Sequence, residues 1–512
     1  MATLSFVSNY LTWTSTITII VLLVFARLYQ RWQKSQLTRS YQCEEPTHYP
    51  QKDFWGSDLI ALRTQAMKEG GFWKLYEGQF ERFGMTWDEN LRGQRTINTI
   101  DPANMRQVLA TDFESYSKPR SRANVNWRLF GRNIFTSEGA QWKHSRSLVK
   151  PIFVKAEISN TSQLDIFVEQ FLKLLPADGE TFDMMPLLHR LFLDISTDFI
   201  FGKAIGALTT NREEADEFSN NFNKALKMVG QRREAGWTSF FTNWNKDWVE
   251  ACANTHKFID QQVQRALRET NQFQAEKSSS SDALGDRYVV LDEMAKVVRD
   301  PTQLRFQVLG IFLPARETTS VLVGHTLFQL ARHPNIWQEL RKTALAVQRP
   351  FTFEKMKSLV EFRYVLQETM RTIGPSGRVV RQAIEDTVLP RGGGSRQESP
   401  VFVPKGTNVA CNTWSVLHDR ELWGEDVEEF RPSRWHGLKP GWEFIPFAGG
   451  PRICPAMQQV YMHAIYLLVV LMQNYEKLEN RDPVKEWTEK WTMIFESKHG
   501  VKIALYKSNS EA

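Results

Sequence analysis

This sequence predicts a mainly helical protein with a small β component, one large domain behind a single N-terminal membrane-spanning helix. Three observations carry that expectation. The N-terminal segment is apolar and uncharged, and a cluster of positive charge follows it. Most of the chain beyond repeats apolar residues at three- and four-residue spacing, the period of an amphipathic helix. Strand-like runs are short and late, from Val388 onward.

The first 26 residues contain no Lys, Arg, Asp or Glu, and residues 10–26 are almost entirely apolar or hydroxylated. With residues 4–9 ahead, the run approaches the roughly 20 residues that cross a bilayer as a helix. Arg27, Arg31, Lys34 and Arg39 follow, interleaved with Tyr29 and Trp32. Positive charge on that side places the remainder of the chain in the cytosol. A secretory signal would carry its charge before the apolar run instead. Residues 1–26 are therefore expected to anchor, 27–55 to run along the membrane surface, and 56–512 to form the large domain.

Helices are expected over 162–175, 187–202, 214–228 and 247–269, and strands over 388–390, 401–404 and 407–411. The turn-rich stretch 391–400 separates the first strand from the others, and the serine run at 276–282 reads as a loop. With 42% hydrophobic residues, the 512-residue chain can bury a sizeable core. The net charge of +6 is too mild for a dedicated nucleic-acid binder. It suits a basic face turned to a membrane or an acidic protein. No glycine-rich phosphate loop follows a strand, so no nucleotide is expected within the chain. The four cysteines, Cys43, Cys252, Cys411 and Cys454, are scattered without a C-x-x-C pair, which argues against a zinc site or a disulfide framework.

One cysteine stands in an unusual setting, Phe447-Ala-Gly-Gly-Pro-Arg-Ile-Cys-Pro-Ala456. Glycines at 449 and 450 allow close backbone approach to a flat group. Pro455 suits the start of a helix, where its missing N–H costs nothing, and a helix N-terminus lowers a thiol's pKa. The segment resembles the haem loop of the cytochrome P-450 superfamily, Phe-x-x-Gly-x-Arg-x-Cys-x-Gly. That resemblance implies the P-450 fold and heme b, with Cys454 as axial thiolate ligand to the iron. It also implies that Phe447 shields the iron–sulfur bond, that Gly450 gives close approach, and that Arg452 pairs with a propionate. Ala456 departs from the family glycine.

Other motifs agree with the family in chain order. Glu368-Thr-Met-Arg371 resembles its Glu-x-x-Arg, and Arg434 in Phe430-Arg-Pro-Ser-Arg-Trp435 is the expected third member of a structural network. Trp142-Lys-His-Ser-Arg146 resembles Trp-x-x-x-Arg, so Trp142 and Arg146 are expected at the propionates. Lys143 and Lys150 would favour an acidic electron donor. Arg381 resembles a further propionate-binding arginine, with Arg378 as the alternative. Pro314-Ala-Arg-Glu-Thr-Thr319 resembles the Ala/Gly-Gly-x-Asp/Glu-Thr-Thr segment of the distal helix. There Glu317 and Thr318 would relay protons to the oxygen being activated. Pro314 and Ala315 depart from the two small residues of that pattern, and the proline is expected to kink the helix.

The resemblance implies a haem-thiolate monooxygenase that oxidises a lipophilic small molecule, using O2 and electrons from an NADPH-dependent flavoprotein reductase. A fungal secondary-metabolite intermediate is the favoured substrate, and a fatty acid or alkane the alternative. An O2-independent haem-thiolate isomerase or dehydratase is the rival chemistry. The expected location is the endoplasmic reticulum membrane, single-pass, with the catalytic domain cytosolic.

Overall fold

A computed structural model describes residues 38–158, 162–210, 212–276, 288–375, 377–491 and 494–507, together with Thr18, Val21, Leu22, Phe25, Tyr29, Trp32, Ser35 and Gln36. Most of the apolar segment 10–26 lies outside the described residues. Among the described residues, no helix is long and apolar enough to cross a membrane. By packing, the chain divides into two compact units. The smaller takes residues up to 59, 78–117 and 380–411; the larger takes 60–77, 118–379 and 412 onward.

The smaller unit is built on a six-stranded sheet. β1 (Thr86–Leu91) and β2 (Gln94–Thr99) form an antiparallel hairpin. Arg92 and Gly93 at its tip both have positive φ, 54° and 76°, as the tightest hairpin turns require. The sheet continues with two strands from late in the chain, β3 (Val379–Ala383) and β6 (Asn408–Cys411); between them in sequence come β4 (Thr387–Gly393) and β5 (Ser399–Val403). β6 pairs parallel with β2, and the order is 47–48, β1, β2, β6, β3, 116–117. β4 and β5 form a separate antiparallel ribbon. The three late strands thus occur near their expected places.

The early hairpin is a correction to the expectation that strands are late. Its sequence lacks apolar alternation, because Thr86, Asp88, Glu89, Asn98 and Thr99 are buried polar residues. Side chains pair three of them locally: the Thr86 and Thr99 hydroxyls lie 2.9 Å apart, and Asp88 takes hydrogen bonds from Arg95 Nε at 2.5 Å and His48 Nδ1 at 2.6 Å.

The larger unit is helical. Its main elements are α1 (Gly139–Ile158), α2 (Met184–Phe201), α3 (Glu213–Ala235), α4 (Lys246–Glu276), α5 (Pro301–Arg332), α6 (Val360–Ile373) and α7 (Met457–Asn474). A short hairpin, β7 (Glu489–Trp491) with β8 (Phe495–Ser497), also belongs here. The four expected helices are present, at Ser162–Leu174 and as α2, α3 and α4. One continuous core joins Leu193, Ile200 and Phe201 of α2, Phe222 of α3, Trp248 and Ile259 of α4, and Leu309 and Phe312 of α5.

α5 is the spine of this unit. Asp300 caps it by accepting from Gln303 N at 2.6 Å, and Pro301 occupies its first turn. At 1.5 Å per residue its 32 residues span about 48 Å. The helix runs on through Pro314. Buried flanks on both sides, Val308 to Phe312 and Thr319 to Ala331, hold the two halves in register across the missing N–H bond.

Candidate active site

The cysteine loop folds back on itself before α7. Cys454 N donates to Phe447 O at 3.0 Å, and Ile453 N donates to Gly450 O at 3.1 Å. Ala448 and Gly450 take positive φ, 59° and 66°. Gly449 is required for a different reason. A Cβ there would lie 2.5 Å from the Trp442 ring, a clash that any larger residue would meet. Phe447 packs its ring 5.5 Å from that of Tyr461 on α7. Helix α7 starts at Met457 with Ala456 as its N-cap, two residues after the cysteine.

Burial pushes the Cys454 thiol up, while the Ala456 N–H and the Arg146 guanidinium pull it down. The helix N-terminus lowers this pKa as expected, through the Ala456 N–H. Desolvation by the apolar surroundings outweighs that N–H and the cation together.

Arg146 lies on α1, half-buried, and has no carboxylate partner among the described residues; burial lowers its pKa and the nearby Cys454 raises it. Trp142, one turn earlier on α1, is buried. Arg452 stacks over the Trp142 ring at 4.3 Å and pairs with Glu138 at 2.5 Å, so it ties the cysteine loop to the start of α1. Glu138 was not legible as a site residue, because nothing in its local sequence marks it. Arg381 is in the smaller unit, buried on β3, where Nη1 donates to Val380 O at 3.1 Å. Arg378 donates to the Tyr76 hydroxyl at 2.7 Å.

Behind the loop, Glu368 and Arg371 of α6 are fully buried and paired twice, at 2.9 and 3.0 Å. Arg434 joins at 3.4 Å, and Trp435 Nε1 and Arg431 N each donate to Glu368 at 3.0 Å. Arg371 spends its remaining donors on Leu417 O and Glu429 O. Every charge in this group therefore has directed partners, which makes burying it tolerable. The three-way network expected from the motifs is present, with Asp426 holding Arg434 at 3.0 Å as an unforeseen fourth member.

In the middle of α5 the burial changes. Residues on either side are buried, but Leu313, Pro314, Ala315, Glu317 and Thr318 are partly exposed. Ala315 and Ala456 pack against the same apolar core, so this window and the cysteine loop border one region of the larger unit. Thr318 Oγ1 donates to Pro314 O at 2.8 Å, which leaves its oxygen lone pairs able to accept. Burial pushes the Glu317 carboxyl up, opposed by the Arg316 guanidinium 3.7 Å away and by His189. A carboxyl raised by desolvation is a candidate proton donor, and the neighbouring Thr318 hydroxyl oxygen a candidate acceptor.

The chain matches the family model described as Cytochrome P450 over residues 59–503. This protein belongs to the cytochrome P450 family. Its relatives include Cytochrome P450 monooxygenase iccC of Talaromyces variabilis, 34% identical over 97% of this chain and 99% of that protein. Cytochrome P450 monooxygenase himC of Aspergillus japonicus is 34% identical over 90% of this chain and 84% of its own. Cytochrome P450 monooxygenase tenA of Beauveria bassiana is 36% identical over 82% and 83%.

As a cytochrome P450 monooxygenase, the protein is a haem enzyme whose iron is held by a cysteine sulfur. It acts on a small molecule with O2 and electrons from a redox partner. The residues around Cys454 fit that cofactor. The sulfur is a soft donor, the half-buried Arg146 cation has no carboxylate partner among the described residues, and α5 presents partly exposed Pro314 and Ala315 between buried flanks.

Proposed function

We propose that Cys454 is the thiolate ligand of heme b in this P450, and that the enzyme oxidises a lipophilic intermediate of fungal secondary metabolism. The observation that carries the site assignment is the part-buried Cys454 in a loop closed by its own N–H to Phe447 O, with the Arg146 cation acting on its sulfur and without a carboxylate partner among the described residues. When bound, the thiolate-ligated haem supplies cleavage of the oxygen–oxygen bond. Arg146, Arg452 and Trp142 would hold its propionates, with Arg452 shared between a propionate and Glu138. Phe447 would cover the sulfur, and Gly450 would let the loop lie flat beneath the ring. Coordination would hold the sulfur deprotonated despite its burial.

On the opposite side, Glu317 and Thr318 would bind water and carry protons toward the reacting oxygen. The substrate reading rests on the fungal monooxygenase relatives and on the unusual Pro314-Ala315 pair; a fatty acid or alkane is the alternative. An NADPH-dependent flavoprotein would supply electrons at the face carrying the exposed Lys143 and Lys150. Residues 1–26 would anchor the enzyme to the endoplasmic reticulum with the catalytic domain cytosolic.

Oxygen-18 labelling tests the reaction. Label from O2 is expected in the product, and conversion without O2 would establish an isomerase or dehydratase instead. Glu317→Gln is expected to release several-fold more hydrogen peroxide per NADPH while binding haem normally.

A further inference from the structure

α2 and the β7–β8 hairpin bring a charged cluster against α5 that the motifs did not reveal. Ser320 of α5 is fully buried. Its Oγ donates to Glu317 O at 2.8 Å and lies 3.0 Å from His189 Nδ1 on α2. The other ring nitrogen, His189 Nε2, is 2.6 Å from Glu496 Oε1 on β8. Glu496 Oε2 is in turn 3.5 Å from Nζ of Lys490 on β7. The Glu496 side chain is 16% exposed and that of Lys490 57%, so the line runs from a core helix to solvent.

Ser320 Oγ also lies 3.1 Å from Arg316 O, so its proton goes either to a helix carbonyl or to His189 Nδ1. Ser320 has one hydroxyl proton. When that proton goes to the Glu317 carbonyl, the Ser320 oxygen accepts from Nδ1–H, and the Glu496 carboxylate accepts from Nε2–H. The ring is then an imidazolium. When the hydroxyl swings to Nδ1, the ring is neutral and still donates Nε2–H to Glu496. One hydroxyl rotation separates the charged and neutral rings, and neither leaves a buried polar group unpaired, which is what makes unpaired groups costly elsewhere.

We propose that His189, held by Ser320 and Glu496, is a positioning residue that sets the protonation of Glu317. The proposal rests on reading Glu317 as the proton-delivering acid. The reaction takes O2, two electrons from the reductase and two protons; one oxygen atom enters the product and the other leaves as water. Glu317 passes protons on and regains them.

The charged groups acting on Glu317 are Arg316 from α5, His189 from α2, Glu496 from β8 and Lys490 from β7. Burial raises its carboxyl, the three cations lower it, and Glu496 raises it. Burial alone would raise Glu496 too, but the His189 and Lys490 interactions hold it down to about 2, so it stays a carboxylate.

Infrared pH titration of the haem-loaded enzyme tests this directly. The protonated-carboxyl band that vanishes in Glu317→Gln reports Glu317. In His189→Gln a positive charge is lost, so that band is expected to persist to higher pH, by about one unit. His189→Arg keeps the charge and is expected to leave the midpoint at or below the wild-type value. Lys490→Met, at an exposed position, moves it upward by less. The alkaline limb of product formed per NADPH should shift with the band, since the acid form is lost as pH rises through the Glu317 pKa. An unmoved midpoint in both His189→Gln and Lys490→Met overturns the proposal. Unchanged peroxide release in Glu317→Gln would instead overturn the reading of Glu317 beneath it, whatever the band does.

Discussion

Residue identity at Cys454, Glu317 and Thr318 was legible because each sits in a fixed-spacing motif. Glu138, His189, Glu496 and Asp426 were not, because their roles arise only when elements distant in sequence meet. Ala456 is the position where the chain departs from the family glycine, and the structure explains why the change is tolerated. It caps α7 with φ −95° and packs its methyl on the core. Glycine is the better N-cap by roughly 0.5–1 kcal/mol, while burying one methyl contributes about 0.8 kcal/mol, so the two nearly cancel. Ala456→Gly is therefore expected to change stability by less than about 1 kcal/mol in chemical denaturation. A loss of several kcal/mol would show that the methyl has a role this packing does not explain.

Elements divided by how apolar their pattern is. α2, α3 and α4 announce themselves by helical spacing, whereas the β1–β2 hairpin hides its inward face behind Thr86, Asp88 and Glu89. The turn at Arg92-Gly93 was the available signal, and it is weak without alternation around it. The Glu-x-x-Arg motif on α6 was expected to form a structural network with Arg434, and the full burial of Glu368 and Arg371 makes it a core one. Removing one partner would strand the other charges in the interior. Glu368→Ala is expected to cost on the order of 3–5 kcal/mol and to lower the fraction of purified chain that retains haem. On α5, Asp300→Ala removes only a cap and should cost about 1 kcal/mol with the haem spectrum unchanged. Equal losses from the two variants would contradict the distinction between them.

For the whole molecule, acid stability follows from buried histidine. His325 on α5 is fully buried, its Nδ1 donates to Ile373 O at 2.6 Å, and its Nε2 has no hydrogen-bond partner among the described residues. Burial holds its pKa down at about 4, below the unfolded value near 6.5. The neutral ring's stabilisation is thus complete above pH 6.5 and is lost as pH falls toward 4. Linkage makes this on the order of 3 kcal/mol. His325→Phe is expected to start less stable at pH 7 and to lose less between pH 6.5 and 4, as read by thermal unfolding at several pH values. A variant with the same acid slope as the native chain would assign the effect elsewhere. Deleting residues 1–38 is expected to release the protein from membranes while preserving its haem spectrum.

The carbon monoxide difference spectrum of the reduced protein tests the central claim most directly. The native chain is expected to give the band typical of thiolate ligation, and Cys454→Ser to lose it while the other three cysteines remain. A thiolate band that survives in Cys454→Ser would contradict the assignment of Cys454 as the ligand.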